Sequence, residues 1–193
     1  MVGPKFNYRI ARRWYFRKKY AEKAKEIFEE QISTAQELKN SLLSIIPSDD
    51  DFKTKFIVAK SSTEKYARYY LRAIENQKRG GESPELLVNS NPNVVNLEHV
   101  LPKNPQDDWS NFSEEQIISL RNRLGNLTLL QSRINSEEGN ANFNSKKVRF
   151  GQSELWITKM ISEEYKSWDE NNIVDRQQKL AEIAVQTWNL NIT

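Results

Sequence analysis

The chain has 193 residues, 37% hydrophobic and 28% charged, with five Trp, seven Tyr and eight Phe; this suits one domain, or one plus an appendage, and excludes wholesale disorder. There is no cysteine, which excludes disulfides, Cys-ligated zinc, iron–sulfur clusters and thiol nucleophiles, and one histidine, His99, where any imidazole chemistry must happen. The net charge of +3 divides into +7 over residues 1–82 (18 basic, 11 acidic) and −4 over residues 83–193 (11 basic, 15 acidic).

Residues 5–32, rich in Ala, Glu, Lys and Arg, predict a long helix. Its first part interleaves cations with aromatics: Arg12, Arg13, Trp14, Tyr15, Phe16, Arg17, Lys18, Lys19, Tyr20. Two readings stand side by side. The aromatics pack inward with the cations in water, or the stripe touches phosphates. A second helix is expected over 34–45, stopping before Pro47, and a third over 50–60, with Asp49, Asp50 and Asp51 at its positive end. Ser62 or Thr63 caps a fourth helix that runs to Lys78, with Tyr66, Tyr70, Ala73 and Ile74 on one face. Gly80 and Gly81 end it, and the Gly-, Pro-, Ser- and Asn-rich residues 80–94 predict a linker. The expected division is therefore a helical region over 1–88 and a second domain over 89–193.

A short strand is expected from Val94 to Glu98, then irregular chain around Pro102 and Pro105. Ser113 and Gln116 form a capping box for a helix to Leu124, which Gly125 ends. Leu127 to Leu130 read as a buried strand, and a helix starts near Phe143. Two C-terminal helices follow, striped by Ile157, Ile161, Tyr165 and Trp168, and by Ile173, Leu180, Ile183, Ala184 and Trp188.

The mean hydropathy is −0.78, and no apolar run approaches the roughly 20 residues of a membrane span. The N-terminus lacks the apolar stretch of a secretory signal, so a cytoplasmic protein is expected. The six glycines form neither a P-loop nor a dinucleotide fingerprint.

Chemistry concentrates at Asn96-Leu97-Glu98-His99-Val100-Leu101-Pro102 and at Arg123-Leu124-Gly125-Asn126-Leu127-Thr128-Leu129-Leu130, with Asn135 beyond. Hydrolysis of a phosphodiester needs an activated water and something to neutralise the charge that builds on phosphorus. A neutral imidazole can take the water's proton. A hard cation on oxygen ligands can hold the scissile oxygens. Glu98 beside His99 supplies both kinds of group. Neighbours on a strand point to opposite faces, so the backbone must turn there.

The order EHVLP, RLGNLTLL, then an Asn nine residues after Asn126 resembles the HNH (His-Me finger, ββα-metal) endonucleases. More narrowly, it resembles the C-terminal domain of GmrSD-type modification-dependent restriction enzymes and related phage-defence nickases. Asn140, Phe143, Lys146 and Lys147 resemble that family's SN-x-x-F-x-x-KK stretch, with Gly139 in the Ser position. Trp168, Ile173, Arg176, Leu180, Ala181, Ala184 and Trp188 resemble its ending, and the likeness spans about residues 63–190.

The resemblance implies a mainly α fold around a small ββα-metal core of two short antiparallel strands plus a helix. It implies His99 as general base, Asn126 as the amide that holds the loop so that the ring aims correctly, and Glu98 and Asn135 as ligands of Mg²⁺ or Mn²⁺. DNA is the implied substrate, with Arg133, Lys146, Lys147 and Arg149 as candidate phosphate contacts. An N-terminal nucleotidase or sensor module precedes such domains in relatives, so a C-terminal piece of a longer protein is expected. Two other classes compete: a non-catalytic nucleic-acid-binding module of HNH shape, and a helical interaction domain. The second explains the helices but not the pairing of EHVLP with GNLTLL.

Overall fold

The computed structural model describes residues 8–80, 94–132 and 140–189, with side chains from Trp14 onward. Residues 81–93 of the expected linker, together with Arg133 and Asn135, lie outside the described residues. The chain divides into two units, residues 1–50 with 190–193, and residues 51–189. Among the described residues there are eight α-helices and one two-stranded sheet, a mainly helical fold. No helix of the described residues is long and apolar enough to cross a membrane.

The first unit carries α1 (Tyr8–Phe28) and α2 (Ala35–Leu42). Thr34 caps α2 through a capping box with Glu37, which satisfies backbone donors at both residues. On α1 the aromatics divide, with Phe16 half-buried. Trp14, Tyr15 and Tyr20 are 63%, 44% and 52% exposed, and Lys18 lies over the Trp14 ring. A run this dense in cations leaves no wholly apolar face to bury.

The second unit begins within α3 (Asp49–Phe56) and continues with α4 (Glu64–Lys78). The chain leaves helical geometry after Phe56, where Lys60 pairs with Arg123 in an isolated bridge. The buried face of α4 is Ala67, Leu71, Ile74 and Glu75, with Arg68 beside it, and Tyr66 is 60% exposed. Of the expected face, Ile74 is buried and Tyr70 packs against the core, while Ala67 and Leu71 take the place of Tyr66 there. Gly80 follows with φ +64, a conformation that glycine adopts without a Cβ penalty.

Strand β1 (Val95–His99) pairs antiparallel with β2 (Leu127–Gln131), with Leu97 opposite Leu129 and His99 opposite Leu127. Between them, Ser113 and Gln116 form their capping box on α5 (Glu114–Leu120). This helix ends four residues before the expected Leu124. Arg123 N–H bonds the Leu120 carbonyl, and a 3₁₀ turn over Leu124–Asn126 leads into β2. Then come α6 (Phe143–Gly151), capped by Asn142, α7 (Trp156–Glu164) and α8 (Glu170–Thr187).

Two apolar clusters hold this unit. One joins Ala67, Leu71 and Ile74 of α4 to Val95, Leu127 and Leu129 of the sheet and to Leu180, Ala181 and Ala184 of α8. The other gathers Val100, Leu101, Trp109, Phe143, Phe150, Ile161 and Trp168 around the loop that leaves β1. Every residue of β2 is buried, as a strand covered on both faces requires.

Candidate functional site

Glu98 and His99 end β1, and the backbone turns where they stop. Val100 N–H bonds the Asn126 carbonyl at 3.0 Å, extending the ladder by one contact. The Asn126 side chain then takes over. Its Oδ1 accepts from Leu101 N–H at 2.8 Å, and its Nδ2 donates to the Leu101 carbonyl at 2.9 Å and to the Arg121 carbonyl at 3.1 Å. Trp168 Nε1 also donates to Oδ1, at 3.1 Å. Asn126 is fully buried, so donor and acceptor capacity are both used inside the protein. The amide clamps the backbone two residues after His99.

Helix α8 clamps the turn that carries Asn126. Arg176 is fully buried and donates to the carbonyls of Gly125, Leu127 and Ile157 at 2.7, 2.9 and 3.0 Å. Gln177 accepts from Gly125 N–H and donates to the carbonyls of Phe56 and Ala59. Gly125 lies so close to α8 that a Cβ there would stand 2.2 Å from the Ile173 carbonyl oxygen. The glycine is thus required by close approach.

His99 is half-buried, and its Nε2 is enclosed with no hydrogen-bond partner among the described residues. Burial pushes the imidazole down to about 4, helped by the cations Lys103, Lys146 and Arg121 and opposed by a hydrogen bond with the Asn122 side chain. The ring is therefore neutral from pH 6 to 8, the state a proton acceptor needs. The same depression has a consequence for stability. The unfolded histidine takes up its proton near pH 6.5 and the folded one near 4, so the contribution is complete above pH 6.5 and is lost as the pH falls toward 4. Wild-type protein should lose about 3 kcal/mol more stability than His99→Gln between pH 7 and pH 4, measured by urea unfolding at both pH values. Equal losses in the two proteins would refute the depression.

Lys146 is the residue whose position departs most from expectation. As a phosphate contact it would stand in solvent. Instead its side chain is 0% exposed, and its Nζ lies 2.6 Å from Glu98 Oε1 and 2.6 Å from the His99 carbonyl oxygen. Burial lowers the Lys146 ammonium from its usual range, and the Glu98 carboxylate opposes this. Periodicity along α6 puts Phe143, Lys146 and Phe150 on its inner face, and nothing in local sequence tells a buried lysine from an exposed one. Lys147 and Arg149, on the same helix, are half-buried. Breaking a buried ion pair on one side costs about 3–5 kcal/mol, so this contact holds α6 against β1 firmly.

Mg²⁺ takes one or two carboxylates and fills its shell with water and phosphate oxygens. No three His, Cys, Asp or Glu side chains of the described residues converge on one point. Glu98 offers a carboxylate whose Oε1 is on Lys146. This donor chemistry fits a cation held mainly by water and substrate, not a preformed protein cage. Sequence reasoning named Lys146 as a phosphate contact but not as the partner of Glu98, and it missed Gln177. Arg176 stood out only through its place in the family's ending.

A protein-family model, that of GmrSD restriction endonucleases, C-terminal domain, matches residues 46–183. No curated protein matches the chain.

Proposed function

Since the chain belongs to the family of GmrSD restriction endonuclease C-terminal domains, we propose that it is the nuclease module of a restriction or phage-defence protein, a metal-dependent HNH endonuclease that nicks DNA. The observation that carries this reading is the strand end bearing Glu98 and His99, locked from behind by the Asn126 amide and from below by α6. Two antiparallel strands and the following helix make the ββα core. Residues 89–193 contain all the candidate catalytic, cation and DNA-contacting residues, with 1–88 as a helical region that follows a nucleotidase or sensor module of a longer cytoplasmic protein.

His99 is the general base. Burial holds its imidazole neutral, ready to take the proton of the attacking water. Asn126 holds the backbone that aims the ring. Glu98 and Asn135 would hold Mg²⁺ or Mn²⁺, which when bound supplies charge neutralisation at the phosphodiester. Arg133, Lys147 and Arg149 contact phosphates.

The test is conversion of supercoiled plasmid to open circle in Mg²⁺ or Mn²⁺. A non-catalytic DNA-binding module would shift plasmid mobility without cutting it. Binding should also show its ionic part. Lys147→Ala with Arg149→Ala should weaken DNA binding on all sequences. It should flatten the slope of log affinity against log salt by about 0.9 for each lost contact, read by fluorescence anisotropy. An unchanged slope would assign these side chains to structure alone.

A further inference from the structure

We infer that Lys146 is a built-in counter-cation of the nuclease site: it holds Glu98 and the His99 backbone in place and keeps divalent-cation affinity low until a DNA phosphate arrives. The inference deepens the nuclease reading above and rests on it for the identity of the cation.

Its basis is geometric. One buried ammonium spans two groups of the site, the Glu98 carboxylate and the His99 carbonyl, each at 2.6 Å. Lys146 has no exposed surface, and Glu98 retains only 12%. The pair is therefore neither a solvent ion pair nor one that side-chain motion breaks at little cost. A divalent cation on the same carboxylate would sit within a few ångströms of the ammonium, and in a partly buried site that repulsion is poorly screened. Glu98 is the carboxylate offered to the cation, and Lys146 already neutralises it. A scissile phosphodiester brings the missing negative charge and further hard oxygen ligands. Cation and DNA should thus bind together rather than in sequence.

The alternative is that Lys146 only orients Glu98, as hydrogen-bonding partners of ligating carboxylates do, and so raises cation affinity. The two differ in sign. Mn²⁺ binding to the DNA-free protein, followed by electron paramagnetic resonance, separates them. Wild-type protein should bind Mn²⁺ at this site only in the millimolar range, and Glu98→Gln should weaken that binding further. Lys146→Gln keeps a donor for Glu98 and an amide for the turn but removes the charge. It should bind at least tenfold tighter, about 1.4 kcal/mol, and adding Glu98→Gln should abolish the gain. A short DNA duplex should tighten Mn²⁺ binding to wild type more than to Lys146→Gln.

Equal or weaker binding by Lys146→Gln overturns the inference. So does a wild type that binds Mn²⁺ below about 100 µM and loses that binding in Glu98→Gln, a result that needs no Lys146 variant to fold. A lesion of structure alone would not raise affinity. No readout here is cleavage, so a protein that proves not to cut DNA fails the nuclease reading without deciding this one.

Discussion

His99→Ala should abolish plasmid nicking while the protein stays folded and bound to DNA. Loss of a positioned general base is worth about 10²–10⁴-fold, which takes nicking below detection in an ordinary gel assay. The chain has one histidine, so no second imidazole can substitute. The ring is held neutral by burial and by Lys103, Lys146 and Arg121, so wild-type nicking should stay level from pH 8 to pH 6 where an ordinary histidine would begin to lose its acceptor. The variant should stay folded with its melting temperature lowered by several degrees, because the change removes a half-buried ring and its hydrogen bond with the Asn122 side chain. Nicking that persists in His99→Ala at the wild-type rate would remove His99 from the chemistry.

The second large effect is at Asn126, and it should appear in stability as well as in activity. Asn126→Ala strips partners from Leu101 N–H, the Leu101 carbonyl and Trp168 Nε1 in the interior, and from the half-buried Arg121 carbonyl. Each orphaned group costs about 1–3 kcal/mol, and the set is not additive. The expected loss is at least about 3 kcal/mol. Asn126→Asp should be no better. It keeps an acceptor for Leu101 N–H but loses both donors, and it sets a buried carboxylate against two carbonyl oxygens. Added Mn²⁺ should rescue neither variant, because the amide acts on backbone. Asn135→Ala should respond to added Mn²⁺, since there an oxygen ligand is lost. Melting curves and nicking across a Mn²⁺ titration check both. Rescue of Asn126→Ala by metal, with none for Asn135→Ala, would reverse the two roles.

Much of this site was readable from residue types. The short strands and the Ser113 capping box follow from local rules, because caps and strand alternation act over a few residues; the helix stop expected at Gly125 comes at Leu120 instead. The role of the Asn126 amide came with the family likeness, and its hydrogen bonds with Leu101 span 25 positions of sequence that no local pattern encodes.

What the sequence determined by itself was which groups are at hand, one imidazole with a carboxylate beside it and no thiol, and a largely helical chain with two apolar strands. What only the tertiary structure decided was which charges meet. Glu98 pairs with Lys146 across 48 positions, and Arg176 reaches the turn at Gly125 across 51. On α4 the core takes Ala67 and Leu71 beside the expected Ile74 and Tyr70 and leaves Tyr66 outside. Periodicity marks that a face is buried. It cannot say that one lysine on that face is carried inward with its charge, since the carboxylate that compensates it belongs to a distant strand.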